Sequence, residues 1–409
     1  MKTVLFIADG PLGNPILQSQ GIPHLIENHD HGINSYLLTF ENRLLQAGDK
    51  KLQERHSNSL AMLEGKVNHL PVYVPFDTAR WIMSNKILRA LRFLLMILKG
   101  IFVTTSFVLN NRIDFIHCRS SYPAIIGTVV RFLTGCRIIY DNRGIPGEEL
   151  GSGGIDIQTM LYKKAEPWLL KYSDRIVVVS GAFRDHLTET FKINGLAEKI
   201  TVIENGYSPG RISFSEEKRA RRREEEGLTG KLVMTYSGTL SKWQMFDEIC
   251  EAYRVFRSRV EEPFFLVLTP DEEEAAGVIR SKGIPDGEWM IRNIKGNNLG
   301  DHLILGDFGT LFREKLLLNR VAAPIKFAEY LGAGLPVLIS EGIGDTELFC
   351  RKGNVGVVFD LSDQGIENAV TEMKGLLGEP AIHTRCAEFA KENLSLKSAA
   401  EKYRKLYIS

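Results

Sequence analysis

The sequence predicts an α/β fold made of two doubly wound domains, and three observations support this prediction. Short apolar runs recur along the 409-residue chain, and most are followed by a segment with helical periodicity. The runs are apolar throughout instead of alternating, which is typical of parallel strands that are buried on both faces. The chain is long enough for two domains, and turn-forming residues interrupt the series of runs near its middle.

The apolar runs define eleven predicted strands in two groups. In the first half they are 3–8, 35–40, 114–118, 137–141, 175–180 and 200–205. In the second half they are 232–238, 264–269, 304–312, 336–340 and 355–360. Asn205-Gly206 and Pro209 favour turns between the groups. We therefore expect an N-terminal Rossmann-like domain over 1–206, a C-terminal one over 207–384, and a helix within 385–409 that packs back on the N-terminal domain.

Composition and charge exclude several classes of protein. Hydrophobic residues make up 44% of the chain and charged residues 25%, which is typical of a globular protein. The net charge is only +1, so the overall charge does not favour nucleic-acid binding. A basic block at 218–223 is flanked by glutamates at helical spacing, which predicts a solvated linker helix. Five cysteines without a CxxC pair predict buried free thiols and no structural metal site.

The N-terminal apolar run and one internal segment bear on membrane contact. The run in "MKTVLFIADG" is too short for a signal peptide and predicts a strand. No stretch of 18 residues is uniformly apolar and uncharged, so no spanning helix is expected. The segment 86–107, "KILRALRFLLMILKGIFVTTSF", predicts a basic amphipathic helix. Such a helix either lies on an anionic membrane or packs in a core with its cations reaching solvent, and the sequence leaves both open.

The segment "PIKFAEYLGAGLP" (324–336) predicts a helix with a lysine in an unfavourable place. Pro324 suits the first helical position, and Gly334 allows a left-handed stop. Lys326 then lies in the first turn, where the positive helix end disfavours a cation. Glu329 follows one turn later on the same side of the helix. Both charges therefore call for an explanation outside the helix.

A longer string around this helix resembles a known family. The string "GDFGTLFREKLLLNRVAAPIKFAEYLGAGLPVLISEGIGD" (306–345) is similar to the C-terminal domain of retaining glycosyltransferases of family four, in the polysaccharide-biosynthesis-type subgroup. The segments "YSDRIVVVSGAFRDHL", "ITVIENGYSP" and "VMTYSGTLSKWQ" fit the same family in the same order. The resemblance implies the GT-B fold, in which two Rossmann-like doubly wound domains face a central cleft.

The resemblance also implies a nucleotide-sugar site in the C-terminal domain. Lys326 and the helix N-terminus beginning at Pro324 would bind the diphosphate, with Arg313 binding it from the other side. Glu329 would accept hydrogen bonds from two ribose hydroxyls. The donor is expected to be a UDP- or GDP-sugar, with no metal ion and no other cofactor.

The chain departs from the family pattern at two places in this site. Gly238 lies in a glycine turn where a side chain would obstruct a phosphate. Many relatives have an arginine next, but this chain has Thr239, and Lys242 substitutes for a later lysine in a different register. Eight residues before Glu329, where many relatives have a second glutamate, this chain has Val321. The resemblance still implies donor binding by Gly238, Thr239 and Lys242, while Val321 removes one carboxylate from the sugar side.

Loops after the N-terminal strands supply the remaining candidates. Gly13, in the loop "ADGPLGNP" (8–15), is expected near the diphosphate. His117 and Arg119 follow one strand, and Arg119 aligns with a histidine that lies near the donor sugar in many relatives. Asp141 and Arg143 follow the next strand. We expect Arg119 to join Lys326 and Arg313 in catalysis, and the acceptor to contact a second set: His117, Asp141 and Arg143.

The resulting functional expectation is a hexosyltransferase-type retaining enzyme. It would move a sugar to a hydroxyl of a glycan or lipid-linked acceptor during cell-surface polysaccharide synthesis. It would act in the cytoplasm, as a peripheral membrane protein if 86–107 contacts anionic lipid, and without nucleic acid. Two alternatives stay open: a nucleotide-sugar epimerase or hydrolase on the same fold, and a non-catalytic nucleotide-binding partner protein.

Overall fold

The computed structural model describes residues 2–42, 48–73, 86–145, 157–294 and 298–409. The chain divides into two compact units. The N-terminal unit contains Met1–Glu204 together with Ala399–Ser409, and the C-terminal unit contains Asn205–Ser398. Each unit has a parallel sheet with helices between its strands, so the predicted α/β class is confirmed.

The N-terminal unit is built on seven parallel strands in the order β3-β2-β1-β4-β5-β6-β7. The strands are β1 (Lys2–Ile7), β2 (Ile33–Glu41), β3 (Val67–Tyr73), β4 (Phe115–Arg119), β5 (Arg137–Asn142), β6 (Arg175–Val178) and β7 (Ile200–Val202). Its larger helices are α1 (Ile22–His29), α2 (Lys50–Leu63), α3 (Lys86–Asn110), α4 (Ser121–Thr134), α5 (Ile157–Tyr172) and α6 (Gly181–Thr190). The strand order reverses between β1 and β4, which pair through Ile7 and Cys118.

The C-terminal unit has six parallel strands in the order β10-β9-β8-β11-β12-β13. They are β8 (Leu232–Ser237), β9 (Pro263–Leu268), β10 (Trp289–Arg292), β11 (Phe308–Leu311), β12 (Val337–Ser340) and β13 (Gly356–Phe359). The short helix α7 (Leu196–Lys199) still belongs to the N-terminal unit, and the first helices of the C-terminal unit are α8 (Glu216–Glu225) and α9 (Phe246–Arg257). They are followed by α10 (Glu272–Ser281), α11 (Leu299–Leu303), α12 (Leu317–Arg320), α13 (Ile325–Gly332), α14 (Thr346–Gly353) and α15 (Asp363–Leu377).

Two helices close the chain, α16 (Ile382–Asn393) and α17 (Leu396–Ile408). In α17, Tyr403 and Tyr407 are buried against a sheet face of the N-terminal unit that includes Phe115 and Ile139. Burying two large aromatic side chains is favourable enough to fix the end of the chain on this sheet.

Helix α8 is anchored to the sheet, so the predicted solvated linker helix is wrong in part. Arg223 is buried and donates to the backbone oxygens of Leu305 and Leu228 and, at 3.1 Å, to Asp307. Arg219 also contacts Asp307. The arginines are used to neutralise a carboxylate of the sheet, since an unpaired charge there is costly.

Candidate functional site

The strand order of the C-terminal unit marks one place for a ligand. The order reverses between β8 and β11, and in open α/β sheets ligands bind beyond the carboxyl ends of the strands at such a point. Gly238 follows the end of β8, and Arg313 follows β11 by two residues. Helix α13, which carries Lys326 and Glu329, follows β11 after the short helix α12. The structure therefore brings these predicted residues to one region of one unit.

Gly238 makes room for the side chain of Lys326. Its φ is +150°, a conformation that L-residues rarely adopt, and a Cβ there would overlap Nζ of Lys326. The Lys326 amine donates a 2.7 Å hydrogen bond to Oε1 of Gln244 and lies 5.2 Å from the centre of the Tyr236 ring. The lysine is therefore held over the glycine turn and does not extend into solvent.

Lys326 and Arg313 are partly buried cations with no ion pair to any carboxylate of the described residues. Burial, and then the charge of Arg313, lower the pKa of the Lys326 amine to about 7, with Glu329 opposing the shift. Burial also lowers the pKa of Arg313, whose Nη1 is buried without a hydrogen-bond partner among the described residues. In the described part of the chain, neither cation forms an ion pair within 4.0 Å. The site therefore favours an anion that would supply the missing charge and hydrogen bonds.

Helix α13 adds its own positive end to the two cations. Pro324 is the residue before the helix, with ψ 122°, so its predicted place at the first helical position is wrong by one residue. Among the described residues no side chain caps helix α13, and because the Phe327 N–H donates to the Pro324 carbonyl at 3.1 Å, the N–H groups of Ile325 and Lys326 are left for an outside acceptor. The C-terminal stop is as predicted, since Gly334 has φ +83°.

Glu329 lies one turn after Lys326 and is half-buried. Burial raises the pKa of its carboxyl group, while the charges of Arg211 and Lys326 oppose that shift. No hydrogen bond to its carboxylate occurs within the described ranges. A partly desolvated carboxylate with free acceptor oxygens suits a ligand with hydroxyl donors.

The other predicted donor contacts are more exposed. Thr239 is exposed, and its hydroxyl pairs with Ser241 at 3.0 Å, while its carbonyl accepts from the Tyr236 hydroxyl at 2.5 Å. Lys242 is exposed and makes no described side-chain contact. Val321 is buried at the end of α12, so this position presents an apolar core residue instead of a second carboxylate. Donor contacts by Thr239 and Lys242 stay predictions.

Three contributors to this site were missed in the sequence. Gln244 binds the lysine, Tyr236 lies beneath it, and the Tyr330 hydroxyl accepts from Ser237 N at 2.7 Å. The spacing of Gln244 from Lys326 follows from tertiary packing, and no local motif indicates it. Tyr330 lies within the string 306–345 that resembles the family, but nothing in the sequence indicated the hydrogen bond of its hydroxyl group.

The predicted acceptor residues form a buried network in the N-terminal unit. Asp141 accepts hydrogen bonds from the Tyr403 hydroxyl at 2.9 Å and from Nε2 of His117 at 3.2 Å. Nδ1 of His117 faces the Tyr407 hydroxyl at 2.6 Å. Burial alone would raise the pKa of Asp141, but Arg143 first and then His117 hold it well below its usual value.

This network gives His117 and Asp141 structural partners, and direct acceptor contact by either residue stays a prediction. Both side chains are fully buried, and their polar atoms are used by Tyr403, Tyr407 and Arg143. Their place in the fold is to anchor α17 and to orient Arg143, which donates to Asp141 Oδ1 at 3.4 Å. Acceptor contact by Arg143 stays a prediction.

Arg119 and its neighbour Ser120 lie at the reversal between β1 and β4. Nη1 of Arg119 is buried with no hydrogen-bond partner in the described residues, and its nearest carboxylate, on Asp141, is 3.9 Å away. Ser120 has φ +72° and ψ 176°, which costs a non-glycine residue about 1–3 kcal/mol. Its hydroxyl donates to Asp9 at 2.8 Å. A strained residue and an unsatisfied cation at a strand reversal indicate a ligand site, and sequence reasoning missed both Asp9 and Ser120.

Gly13 has a packing explanation. A Cβ on Gly13 would lie 2.7 Å from Cδ1 of Leu52 and 2.9 Å from the Leu52 carbonyl oxygen, in helix α2. The Gly13 carbonyl also accepts from Nε of Arg55 at 3.1 Å. The glycine is therefore required by the contact with α2, and its contact with a diphosphate stays a prediction.

The chain matches one family over part of its length. Residues 32–211 match the sequence model of Glycosyltransferase Family 4, which confirms the resemblance over those residues. The matched range ends before the Lys326 region. The assignment of the cation site is therefore supported by its geometry and not by the family match. No curated protein matches the chain at a significant level.

Solved structures share the whole fold. Sucrose-phosphate synthase from Thermosynechococcus elongatus superposes with a TM-score of 0.70 at 11% identity, over 100% of this chain and 98% of that one. HepE of Anabaena, solved with UDP, gives a TM-score of 0.69 at 12% identity, over 99% of both chains. WaaG, a glycosyltransferase of lipopolysaccharide biosynthesis, gives 0.62 at 14% identity, over 99% of both chains. At such identities the likeness shows the fold, which is GT-B.

Proposed function

We propose that this chain, which has the GT-B fold and matches Glycosyltransferase Family 4 over residues 32–211, is a retaining glycosyltransferase. It takes a sugar from a nucleoside diphosphate donor and transfers it to a hydroxyl of a glycan or lipid-linked acceptor. The acceptor belongs to cell-surface polysaccharide synthesis. The lipopolysaccharide enzyme WaaG, which shares the fold, supports this acceptor class.

The observation that carries the proposal is the pair of unpaired, partly desolvated cations, Lys326 and Arg313. Two such cations destabilise the unliganded site, because burial disfavours their charged forms. A diphosphate supplies the counter-charge, and the free N–H groups of α13 supply further hydrogen bonds. The UDP-bound structure of HepE, on the same fold, supports a nucleotide as the ligand.

The same groups account for catalysis. As the bond between sugar and diphosphate breaks, negative charge develops on the leaving phosphate oxygens. Lys326 and Arg313 stabilise that charge, and fixed charges of this kind usually supply the largest part of a rate enhancement. Glu329 is assigned to the ribose hydroxyls. Attack from the same face, with the leaving phosphate helping to remove the acceptor proton, is what the family resemblance implies.

We assign the acceptor to the N-terminal unit, at the reversal between β1 and β4. Arg119 and Asp9 are the groups there with hydrogen-bonding capacity left for a ligand. The reaction needs no metal ion in this proposal. Among the described residues, no group of three or more His, Cys, Asp or Glu side chains is arranged to hold one. The five buried free thiols suit a reducing cytoplasm, where we assign the enzyme.

A donor screen followed by product analysis tests the proposal. A matched UDP- or GDP-sugar at 100 times its Kd should stabilise the protein by about 2.7 kcal/mol, measured as a rise in thermal midpoint. The matched donor and a lipid-linked oligosaccharide acceptor should then give a product whose anomeric configuration, read by NMR, equals that of the donor. An inverted product would contradict the mechanism.

The same incubation without acceptor separates the alternatives. An epimerised or hydrolysed sugar formed from the donor alone would favour the epimerase or hydrolase. Stabilisation by a nucleotide-sugar with no turnover across an acceptor panel would favour a non-catalytic binding protein. Val321 is a buried apolar residue at the position where the family resemblance implies a carboxylate near the donor sugar. This replacement is the reason for testing the non-catalytic alternative.

A further inference from the structure

Helix α3 (Lys86–Asn110) presents a long apolar face to solvent. Ile87 is 76% exposed, Phe102 74% and Leu109 69%, although such side chains are usually buried. Other exposed apolar residues on the same helix are Leu91, Leu94 and Leu98. At 100° per residue, these six side chains fall within an arc of about 80°. The spacing makes one continuous stripe about 33 Å long along the helix.

The opposite side of α3 is part of the folded unit. Phe93, Ile97, Gly100 and Thr104 are buried, and a Cβ on Gly100 would lie 2.6 Å from Ile126 of α4. By length and composition alone, residues 87–110 are long and apolar enough to cross a membrane. Only 22% of its most apolar stretch is buried, unlike a core helix. A helix that packs one face against its own domain and exposes the other lies along a surface and does not span it.

Helices α3, α4 and α5 carry mostly basic residues, although Arg131 of α4 pairs with Asp174 and the Nε atoms of Arg89 and Arg92 are buried. Helix α3 contains four Lys or Arg residues, the adjacent α4 one and α5 three, and the single acidic residue of these helices is Glu166. Glu166 is buried, so it contributes little to the outer surface. Lys99, Lys163 and Lys164 are exposed. This bias is local, since the whole chain carries a net charge of only +1.

The neighbouring helices also expose apolar side chains. Phe132 and Leu133 of α4, and Met160 and Leu161 of α5, are all at least 40% exposed. Exposed apolar side chains combined with lysines are what the headgroup region of an anionic bilayer accommodates, with the apolar groups in the acyl chains and the cations at the phosphates. Contact of so many apolar side chains with water is unfavourable, and an exposed apolar patch of this kind marks an interaction site.

We infer that the face formed by α3, α4 and α5 docks the protein on an anionic lipid bilayer, with the stripe from Ile87 to Leu109 inserted at the headgroup boundary. This resolves the two interpretations that the sequence left open for 86–107. Helix α3 packs beside the strand ends at the reversal between β1 and β4, because its Phe93 lies edge-on to Tyr122 with 6.3 Å between ring centres, and the Tyr122 hydroxyl donates to the carbonyl of Ala8, directly after β1, at 3.3 Å. The docked face therefore borders the strand ends to which we assign the acceptor, which suits an acceptor carried on lipid. The docking itself is independent of the proposed chemistry.

Flotation of the full chain with lipid vesicles tests this inference, with no donor or acceptor present. Vesicles of phosphatidylcholine with 30% phosphatidylglycerol should retain the protein, and pure phosphatidylcholine should retain far less. The triple variant Leu94→Gln/Leu98→Gln/Phe102→Gln should reduce binding at least tenfold. The matched control Leu60→Gln/Met62→Gln/Leu348→Gln removes three exposed apolar residues elsewhere and should bind like the wild type.

Three outcomes would overturn the inference. They are no binding to anionic vesicles, equal binding by the triple variant and the wild type, and a dimer in sedimentation velocity that the triple variant alone dissociates. The last would assign the face to a second copy of the chain. Calorimetric binding of UDP by the triple variant separates this result from a failure of the proposed function, because UDP affinity should be unchanged.

Discussion

A Cβ at position 238 would occupy the place of the Lys326 amine, so the glycine and the lysine share one space at the end of β8. Gly238→Ala should displace the lysine and weaken UDP binding at least tenfold, with a stability loss of about 1 kcal/mol from the φ of +150°. Calorimetry and thermal unfolding measure the two effects. Gly277→Ala, where a Cβ meets nothing within 4 Å, should change UDP affinity little. Equal UDP affinity in both variants would show that the shared space is irrelevant to the ligand.

The affinity for UDP should depend on pH through Lys326. Its pKa is about 7 in the free protein, and a bound diphosphate raises it, so binding takes up a proton above pH 7. The wild-type affinity should therefore fall by up to about tenfold per pH unit between pH 7.5 and 9. Lys326→Arg keeps its charge, and its profile should be nearly flat over the same range. Parallel profiles for the two proteins, measured by calorimetry, would contradict this assignment.

Lys326 should also make the unliganded protein more stable at high pH. The folded pKa is below the unfolded value of 10.5, so the unfolded chain binds more protons between pH 7 and 10.5 and stability rises across this window. Lys326→Met removes the cost of the buried charge. The thermal midpoint of the variant should be higher than that of the wild type. This difference should be largest below pH 7 and should shrink towards pH 10. An advantage that does not vary with pH would contradict a buried charge at this position.

Glu329→Gln should separate ribose recognition from phosphate recognition. A charged acceptor that receives two hydroxyl hydrogen bonds contributes more than a neutral one, so UDP affinity should fall about tenfold or more. Pyrophosphate has no ribose, and its affinity should fall less than twofold. The surface variant Glu224→Gln is the control for a general change in charge. If UDP and pyrophosphate weaken together, Glu329 acts on the phosphate region and the ribose assignment is wrong.

Tyr403→Phe tests whether the buried network is structural. The variant removes a hydrogen bond to the buried carboxylate of Asp141 and should cost about 1–3 kcal/mol, read as a lower thermal midpoint. Tyr253→Phe removes a hydrogen bond to the carbonyl of Glu288 and should cost about 1 kcal/mol. An unchanged midpoint for Tyr403→Phe would show that α17 is held by ring packing alone.

The strands could be predicted from sequence where they are central and fully apolar. All eleven predicted strands occur, with ends shifted by a few residues. The two that were missed, Val67–Tyr73 and Trp289–Arg292, are edge strands without a long apolar run, whereas the other two edge strands, Ile200–Val202 and Gly356–Phe359, lie in apolar runs and were predicted. An edge strand is covered less completely, so it tolerates polar residues and even Pro71, and its sequence lacks a continuous apolar run.

The candidate site was predictable only where its residues are close in sequence. Lys326 and Glu329 share one helix and one recognisable string. Gly238 and Gln244 meet Lys326 through the sheet order, which no local pattern specifies. His117 and Tyr407 contact each other although 290 positions separate them. The unusual backbone of Ser120 is imposed by its surroundings, since a serine has no intrinsic preference for a positive φ.

Calorimetric titration of UDP and GDP against a variant without both cations tests the central claim most directly. Lys326→Met/Arg313→Gln should lose at least 100-fold in affinity for the nucleotide that the wild type binds more tightly. Lys352→Met/Arg351→Gln removes the same charge from the exposed end of α14 and should bind that nucleotide like the wild type. Equal affinity in the two double variants would contradict the assignment of Lys326 and Arg313 as the diphosphate site.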